Sequence, residues 1–293
     1  MPVVKASLLH LVGVRRLLKE AFYRYVDAGA EDLPHLLAHA SGAVGEENGR
    51  AWGFLSVQLE DRPSTLPPDA PTRAYLKVLA ALRPFHPGDT LRRLLPLVEA
   101  QFGRQPGGVQ IISYGADHWL EPALLAAGFV EVERVQFYQL DRLARRVEGL
   151  PPLPPLLNLT PGHPDFLDEL ARLDAAAFPP LWHFGTKDLF ELLMRGRVQL
   201  AWRQGVLAGY SAICANSSSE GQLARLAVHP DFQGQGIGRG LLSDAVAYAA
   251  NEFSVLILNT QLTNTRSQTL YKGFGFRPIG APVPVLARWS GWS

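Results

Sequence analysis

The chain has 293 residues, 47% of them hydrophobic and 19% charged, with a formal net charge of +1. This is the composition of a globular protein with room for two domains, and its near-neutral charge gives no field that would draw in nucleic acid or a membrane surface. No apolar run is long enough to span a bilayer, residues 1–20 lack the pattern of a signal peptide, and the single cysteine, Cys214, excludes an internal disulfide and fits a reducing cytoplasm.

In chain order, the first half reads as an N-terminal helical region, strands near 52–59 and 74–79, a helix over 90–102, and strands near 109–113 and 132–140. His35 and His39 are four apart and can share a helix face, but no third ligand accompanies them, so no metal site is expected. Residues 149–156, Gly-Leu-Pro-Pro-Leu-Pro-Pro-Leu, read as a semi-rigid linker between a domain at 1–148 and a second at 157–293.

The second half alternates helices and strands. Phe166, Leu167, Leu170, Leu173 and Ala177 fall at helical spacing within 164–178, and Thr186 is a candidate cap for a helix over 187–195. Strands follow at 198–202 and 206–215, joined by a tight turn at 203–205, with a third at 222–228. A helix over 237–250 would bury Ile237, Leu241, Leu242, Ala245, Val246 and Ala249. A strand at 255–258, a helix at 265–272 and a strand at 283–289 complete a mixed sheet with helices packed on it, α/β or α+β.

The two halves share residues at a constant offset of 147. Gly128-Phe129 matches Gly275-Phe276, Phe85 matches Phe232, Leu94-Leu95 matches Leu241-Leu242, and Arg92 matches Arg239. A common offset implies duplication of one unit.

The densest chemical signal is the run from Leu226 to Leu242, where an apolar strand enters a glycine-rich turn that opens a helix. Such a turn aims the orphan N–H groups of a helix start, and its dipole, at a negatively charged ligand. A nucleotide P-loop would need a lysine where Arg239 follows Gly238, and the dinucleotide spacing Gly-x-Gly-x-x-Gly fails in both registers, at Arg239 and at Leu241. Gln233-Gly234-Gln235-Gly236-Ile237-Gly238 does fit Gln/Arg-x-x-Gly-x-Gly/Ala. With it comes a second motif from Asn264 through Leu270-Tyr271 to Gly275-Phe276. Together they resemble the GNAT superfamily of acetyl-CoA-dependent N-acetyltransferases, and the order of elements extends the resemblance over most of 156–293.

The resemblance implies two tandem GNAT-like domains, each a mixed, mostly antiparallel sheet flanked by helices. It implies acetyl-CoA as cosubstrate, no metal, and direct acetyl transfer to an amine whose class the sequence does not name. The alternative is a non-catalytic acyl-CoA-binding or regulatory module. The pantetheine arm would lie against Leu226, Ala227 and Val228. The pyrophosphate would sit on the turn, from Gln233 and Gly234 through the N–H groups of Gln235, Gly236, Ile237, Gly238 and Arg239. Asn264 would cap its helix and touch the cofactor. Tyr271 stands at the family position of the general acid that protonates the leaving thiolate, and Glu220, just before the central strand, is the candidate general base. Trp182-His183-Phe184 would border the acceptor pocket or pack against the partner domain. Cys214, with no basic neighbour in sequence, is expected to be inert.

The corresponding turn of the first half, at 83–91, has Pro87, Asp89 and Leu91 where the second has Gly234, Gly236 and Gly238, and Leu124 where it has Tyr271. Proline removes a donor, aspartate repels phosphate, and leucine fills the space backbone needs. The first half is therefore expected to be a degenerate copy without a cofactor site.

Overall fold

Strand pairing, more than chain order, decides which residues fold together. The computed structural model describes residues 1–115 and 117–291. It contains two compact units, one of Met1–Arg62, Pro68–Arg134 and Val283–Ser293, the other of Pro63–Pro67 and Val135–Pro282. The division expected at 149–156 therefore differs from these units: 135–148 fold with the second unit and 283–291 with the first. The cause is hydrogen-bonded pairing with a distant strand, which hydrophobic pattern does not encode.

The first unit begins with β1 (Val3–Lys5), α1 (Leu11–Glu20), β2 (Tyr23–Val26) and α2 (Leu33–His39). Then come β3 (Ser41–Glu47), β4 (Arg50–Leu59), β5 (Thr72–Ala81), α3 (Pro87–Glu99), β6 (Val109–Tyr114) and α4 (Leu120–Ala126). β7 (Val130–Asp141) leads out of it. β3, β4 and β5 are antiparallel neighbours; β5 and β6 run parallel over Thr72–Tyr75. Residues 285–290 of the chain's final strand pair with the other edge of β6. α3 buries Leu91, Leu94, Leu95 and Val98 against this sheet. It starts earlier than its periodicity indicates, because Pro87 suits a first helical turn and the His86 side chain accepts from the Gly88 N–H.

The second unit continues with β8 (Leu157–Pro161), α5 (Leu167–Ala177), α6 (Thr186–Arg195), β9 (Arg197–Arg203) and β10 (Val206–Ala215). β11 (Glu220–Val228), α7 (Ile237–Glu252), β12 (Val255–Gln261), α8 (Thr265–Gly273) and β13 (Arg277–Ser290) follow. β8, β9, β10 and β11 form an antiparallel run; β11 then meets β12 in parallel, and residues 135–141 of β7 pair with the far edge of β12. The turn between β9 and β10 is tight because Gln204 and Gly205 both adopt positive φ, 51° and 78°. All six apolar residues expected on the inner face of α7 are buried. At about 1.5–3 kcal/mol per large side chain, that face fixes the helix on the sheet.

Three local readings change. Gly185, not Thr186, is the N-cap of α6, and its N–H donates to the Asp188 carboxylate at 2.8 Å. β11 begins at Glu220, so that residue lies within the strand. The proline-rich segment does not hang free. Pro154 packs against the α carbons of Gly236 and Gly240, and Ser243 donates to the Pro151 carbonyl at 3.0 Å.

Candidate active site

The site grows from one irregularity in β11. Ala212 pairs with Arg225 and Ile213 with Leu223, which leaves Ala224 as the extra residue of a β-bulge. Bulges bend a strand and increase its twist. On its other edge β11 pairs with β12 only at Glu220, Gly221 and Gln222, after which the two strands part. Beyond that point the chain alternates. His229 N–H donates to Ala208 O on the β10 side at 2.9 Å, so Leu226 and Val228 turn their backbone groups to the open edge. The Val228 carbonyl there accepts from the Gln233 side chain at 3.2 Å.

The open edge runs into the glycine turn. Gly234 and Gly236 both have φ of 82°, a conformation costly for any other residue, and α7 starts immediately after them. A cleft of about 390 Å³ follows this path, walled by Leu226, Val228, Gly234, Gly238, Asn264 and Leu270. Ala227, Gln233, Gly236, Ile237 and Arg239 also line it; Gln235 does not, and its amide instead donates to Asp231 O at 3.2 Å. Asn264 caps α8, its side chain accepting from Ser267 N–H at 3.1 Å. Among the described residues two cations, Arg239 and Arg266, line the cleft and no carboxylate does. Arg266 is held by the Gln233 side-chain oxygen at 2.5 Å. The pattern gave no hint of Arg266, because an exposed arginine on a short helix looks like an ordinary solvated charge.

Tyr271 is 6% exposed, beside the cleft-lining Ser267 and Leu270, with Tyr138 and Phe276 against its ring. Burial pushes its phenol up to about 12, opposed by a hydrogen bond from Ser267. Glu220 is not brought to the cleft. It sits at the paired start of β11, six residues or roughly 20 Å of strand from Leu226, and accepts from the Asn216 side chain at 3.1 Å. Cys214 lies on β10, half-buried, with burial raising its thiol. The His35 and His39 rings lie tilted at 44° with centroids 4.6 Å apart, and among the described residues no cluster of three metal-ligating side chains occurs.

A buried polar group supports the cleft wall formed by Ala177 and Phe178. Asp174, fully buried, accepts from Tyr210 Oη at 2.6 Å, Arg225 Nε at 2.8 Å, Arg225 Nη2 at 2.7 Å and Phe184 N–H at 2.8 Å. The Arg225 guanidinium lies between the rings of Phe178 and Phe184, 3.6 and 3.9 Å from their centroids. It also donates to Trp182 O at 2.6 Å, and His183 Nε2 lies 2.7 Å from Phe178 O. Trp182-His183-Phe184 is therefore a packed corner around Arg225, with His183 only 4% exposed.

The altered turn of the first unit is different in kind. No residue from 83 to 102 has a positive φ, Leu91 is buried in the core, and Asp89 pairs with Arg92. The edge of β5 equivalent to the open edge of β11 is covered: Tyr23, Tyr25 and their neighbours in β2 pair with Val78–Ala81. That strand was invisible in sequence, where it merged with the helical region.

Comparison with known proteins agrees with this geometry. Residues 167–276 match the model of the acetyltransferase (GNAT) family. A Bacillus subtilis (strain 168) protein named "Putative [ribosomal protein bS18]-alanine N-acetyltransferase" is 31% identical over 119 residues, covering 39% of this chain and 76% of that protein. Among solved structures, a tandem GNAT protein from the clavulanic acid biosynthesis pathway aligns over 100% of this chain and 99% of its own, with TM-score 0.63 and 16% identity. A GCN5-related N-acetyltransferase from Sphaerobacter thermophilus aligns over 98% and 95%, with TM-score 0.60 and 14% identity. At those identities the two structures speak for the fold alone. The family model, the relative and the glycine-turn geometry all point one way: the chain belongs to the GNAT acetyltransferase family.

Proposed function

We propose that the second unit binds acetyl-CoA in the β11–α7–α8 cleft and transfers its acetyl group to an amine. The observation that carries this reading is the open edge of β11 at Leu226 and Val228 running directly into the left-handed glycines. An extended amide-bearing arm can pair with the strand, and a pyrophosphate can sit on the orphan N–H groups at the start of α7. Arg239 and Arg266 supply counter-charge. A strand N–H that also holds the thioester carbonyl would stabilise the oxyanion as it develops.

In the transfer the amine nitrogen forms a bond to the acetyl carbon, the carbon–sulfur bond breaks, and the amine loses a proton. Tyr271 is proposed to donate to the departing sulfur. A phenol pushed up to about 12 stays protonated at any working pH. Full transfer to a thiolate of ordinary pKa, about 8.5, is uphill, so its role is hydrogen-bond donation while charge develops. No carboxylate is among the residues lining the cleft and Glu220 stands roughly 20 Å of strand away, so the amine proton is proposed to leave to solvent. The first half, 1–148, is proposed to be a duplicated copy that holds no coenzyme.

The relative's name gives an alanine of ribosomal protein bS18 as its acceptor, which makes an alanine-terminated peptide the first acceptor to test. Titration of the full chain with acetyl-CoA by calorimetry tests the coenzyme; no heat at millimolar ligand overturns it. Free-thiol release with an Ala-terminated peptide, against the same peptide N-acetylated, tests the transfer. Coenzyme binding with no turnover on any amine panel would favour the non-catalytic module.

A further inference from the structure

Beside the coenzyme cleft lies a second cavity, of about 730 Å³, with Arg145, Arg146, Arg239, Arg266 and Lys272 on its walls and no aspartate or glutamate. Arg239, Arg266 and Leu270 line both cavities, so the two are neighbours. Arg145, Arg146, Arg239 and Lys272 make no ion pair among the described residues. Four like charges gathered without a counter-charge repel one another, an arrangement an anion would relieve.

The duplicated architecture supplies an internal control. Gly128 and Gly275, 147 positions apart, both take positive φ, 83° and 90°, and each has an arginine guanidinium against its α carbon. A β carbon on Gly128 would stand 2.6 Å from Arg288 Nη1, and one on Gly275 would stand 2.9 Å from Arg146 Nη1. In the first unit that arginine is neutralised within the fold: Arg288 donates to Glu99 at 2.9 Å and to Ala127 O at 3.1 Å. In the second unit Arg146 has no carboxylate partner among the described residues, and the charged residues that share its cavity wall are all cations.

We propose that this cavity is a phosphomonoester site, filled by the 3′-phosphate of the coenzyme when the adjoining cleft is occupied. This rests on the coenzyme reading above. The chemistry is that of a dianion met by guanidinium forks and one ammonium, with Arg239 and Arg266 reaching from the pyrophosphate side to the monoester side. Arg145 and Arg146 come from the stretch entering the proline-rich segment, so that segment contributes to recognition as well as connection. A free phosphate compound is the other source of the same chemistry.

The test compares acetyl-CoA with 3′-dephospho-acetyl-CoA by calorimetry on the full chain, wild type and R145A/R146A, with circular dichroism confirming the fold. Wild type should prefer the 3′-phosphorylated form by about tenfold or more at low salt. The double variant should lose most of that preference while binding the dephospho form as wild type does. Equal affinity of wild type for both forms, or a preference that survives in the double variant, overturns assignment to the coenzyme. Adenosine 3′,5′-bisphosphate and inorganic phosphate form the second arm. Binding of either in the presence of saturating dephospho-acetyl-CoA, abolished by R145A/R146A, supports the phosphate site with a free source. Absence of any binding by acetyl-CoA and dephospho-acetyl-CoA overturns the coenzyme reading instead, and the phosphate arm then decides the cavity by itself.

Discussion

Lys77 and Ala224, 147 positions apart, are the extra residues of the same β-bulge, one in each unit. Each bulge follows a short parallel pairing, β5 with β6 and β11 with β12, and each sends its strand away from the parallel partner. The opening beyond the bulge is left free at Leu226 and Val228 but covered at Leu79 and Ala81, where Tyr25 and Tyr23 pair. One device thus builds a groove in the second unit and a closed sheet in the first.

Gly234 isolates the backbone requirement of the turn. A β carbon there would meet nothing within 4 Å, so Gly234→Ala introduces no clash and only forces alanine to a φ of 82°. The expected cost is about 1–2 kcal/mol of stability, with acetyl-CoA affinity falling as the turn relaxes away from its N–H alignment. Urea unfolding and calorimetry check both. An unchanged midpoint and unchanged affinity would mean that the turn needs no left-handed residue at this position.

Tyr271→Phe removes the proposed donor and leaves the ring contacts with Tyr138 and Phe276 in place. The turnover number should fall by roughly 10²-fold, with little change in the KM for acetyl-CoA. Its pH consequence has a definite sign. The folded phenol titrates near 12, above its unfolded value of about 10, so between these limits the folded state binds more protons. Stability therefore declines as pH rises from 10 towards 12, and the Phe variant should lose that decline. Below pH 10 the wild-type rate profile should show no ionisation from this residue.

Asp174 tests the support of the cleft wall. Asp174→Asn leaves Arg225 buried at 9% exposure without a compensating carboxylate, which should cost about 3–5 kcal/mol. Because Arg225 holds the Phe178–Phe184 corner, the acetyl-CoA KM should also rise. Replacing both partners, as Arg225→Met with Asp174→Leu, should recover part of the stability, since no lone charge then remains. Thermal melts and steady-state kinetics on the three variants distinguish these outcomes.

Much of this was legible in the residues. The glycine turn, Asn264, the inner face of α7 and the constant offset could be read directly, because periodicity and turn chemistry are properties of neighbouring residues and a repeat shows when the chain is aligned with itself. What escaped depended on distant partners. β2 was hidden because four residues, Tyr23–Val26, are too few to show a period beside a helix. β3 was missed although Asn48-Gly49, with φ of 51° and 72°, carries a hairpin signal that could have found it. The assignment of 135–141 and 283–291 to the opposite units rests on hydrogen bonds to strands far away in sequence. No local pattern links Arg225 to Asp174, and only folding brings them together across 51 positions.

Coenzyme stoichiometry follows from the contrast between the two grooves. The first unit lacks left-handed glycines in its turn, buries Leu91 where Gly238 stands in the second, and covers the β5 edge with β2. Acetyl-CoA should therefore bind once per chain. Gly238 lines the cleft, and a β carbon there would lie 3.6 Å from Val228 Cγ2 and 3.7 Å from Leu270 Cδ2, so a larger side chain must enter the ligand's space. Gly238→Leu copies the first unit's residue into the second and should abolish binding altogether, leaving no residual site. Calorimetry reads both numbers directly: two sites in wild type, or one site of near-native affinity in the variant, would show that the first unit holds coenzyme despite its strand-filled groove.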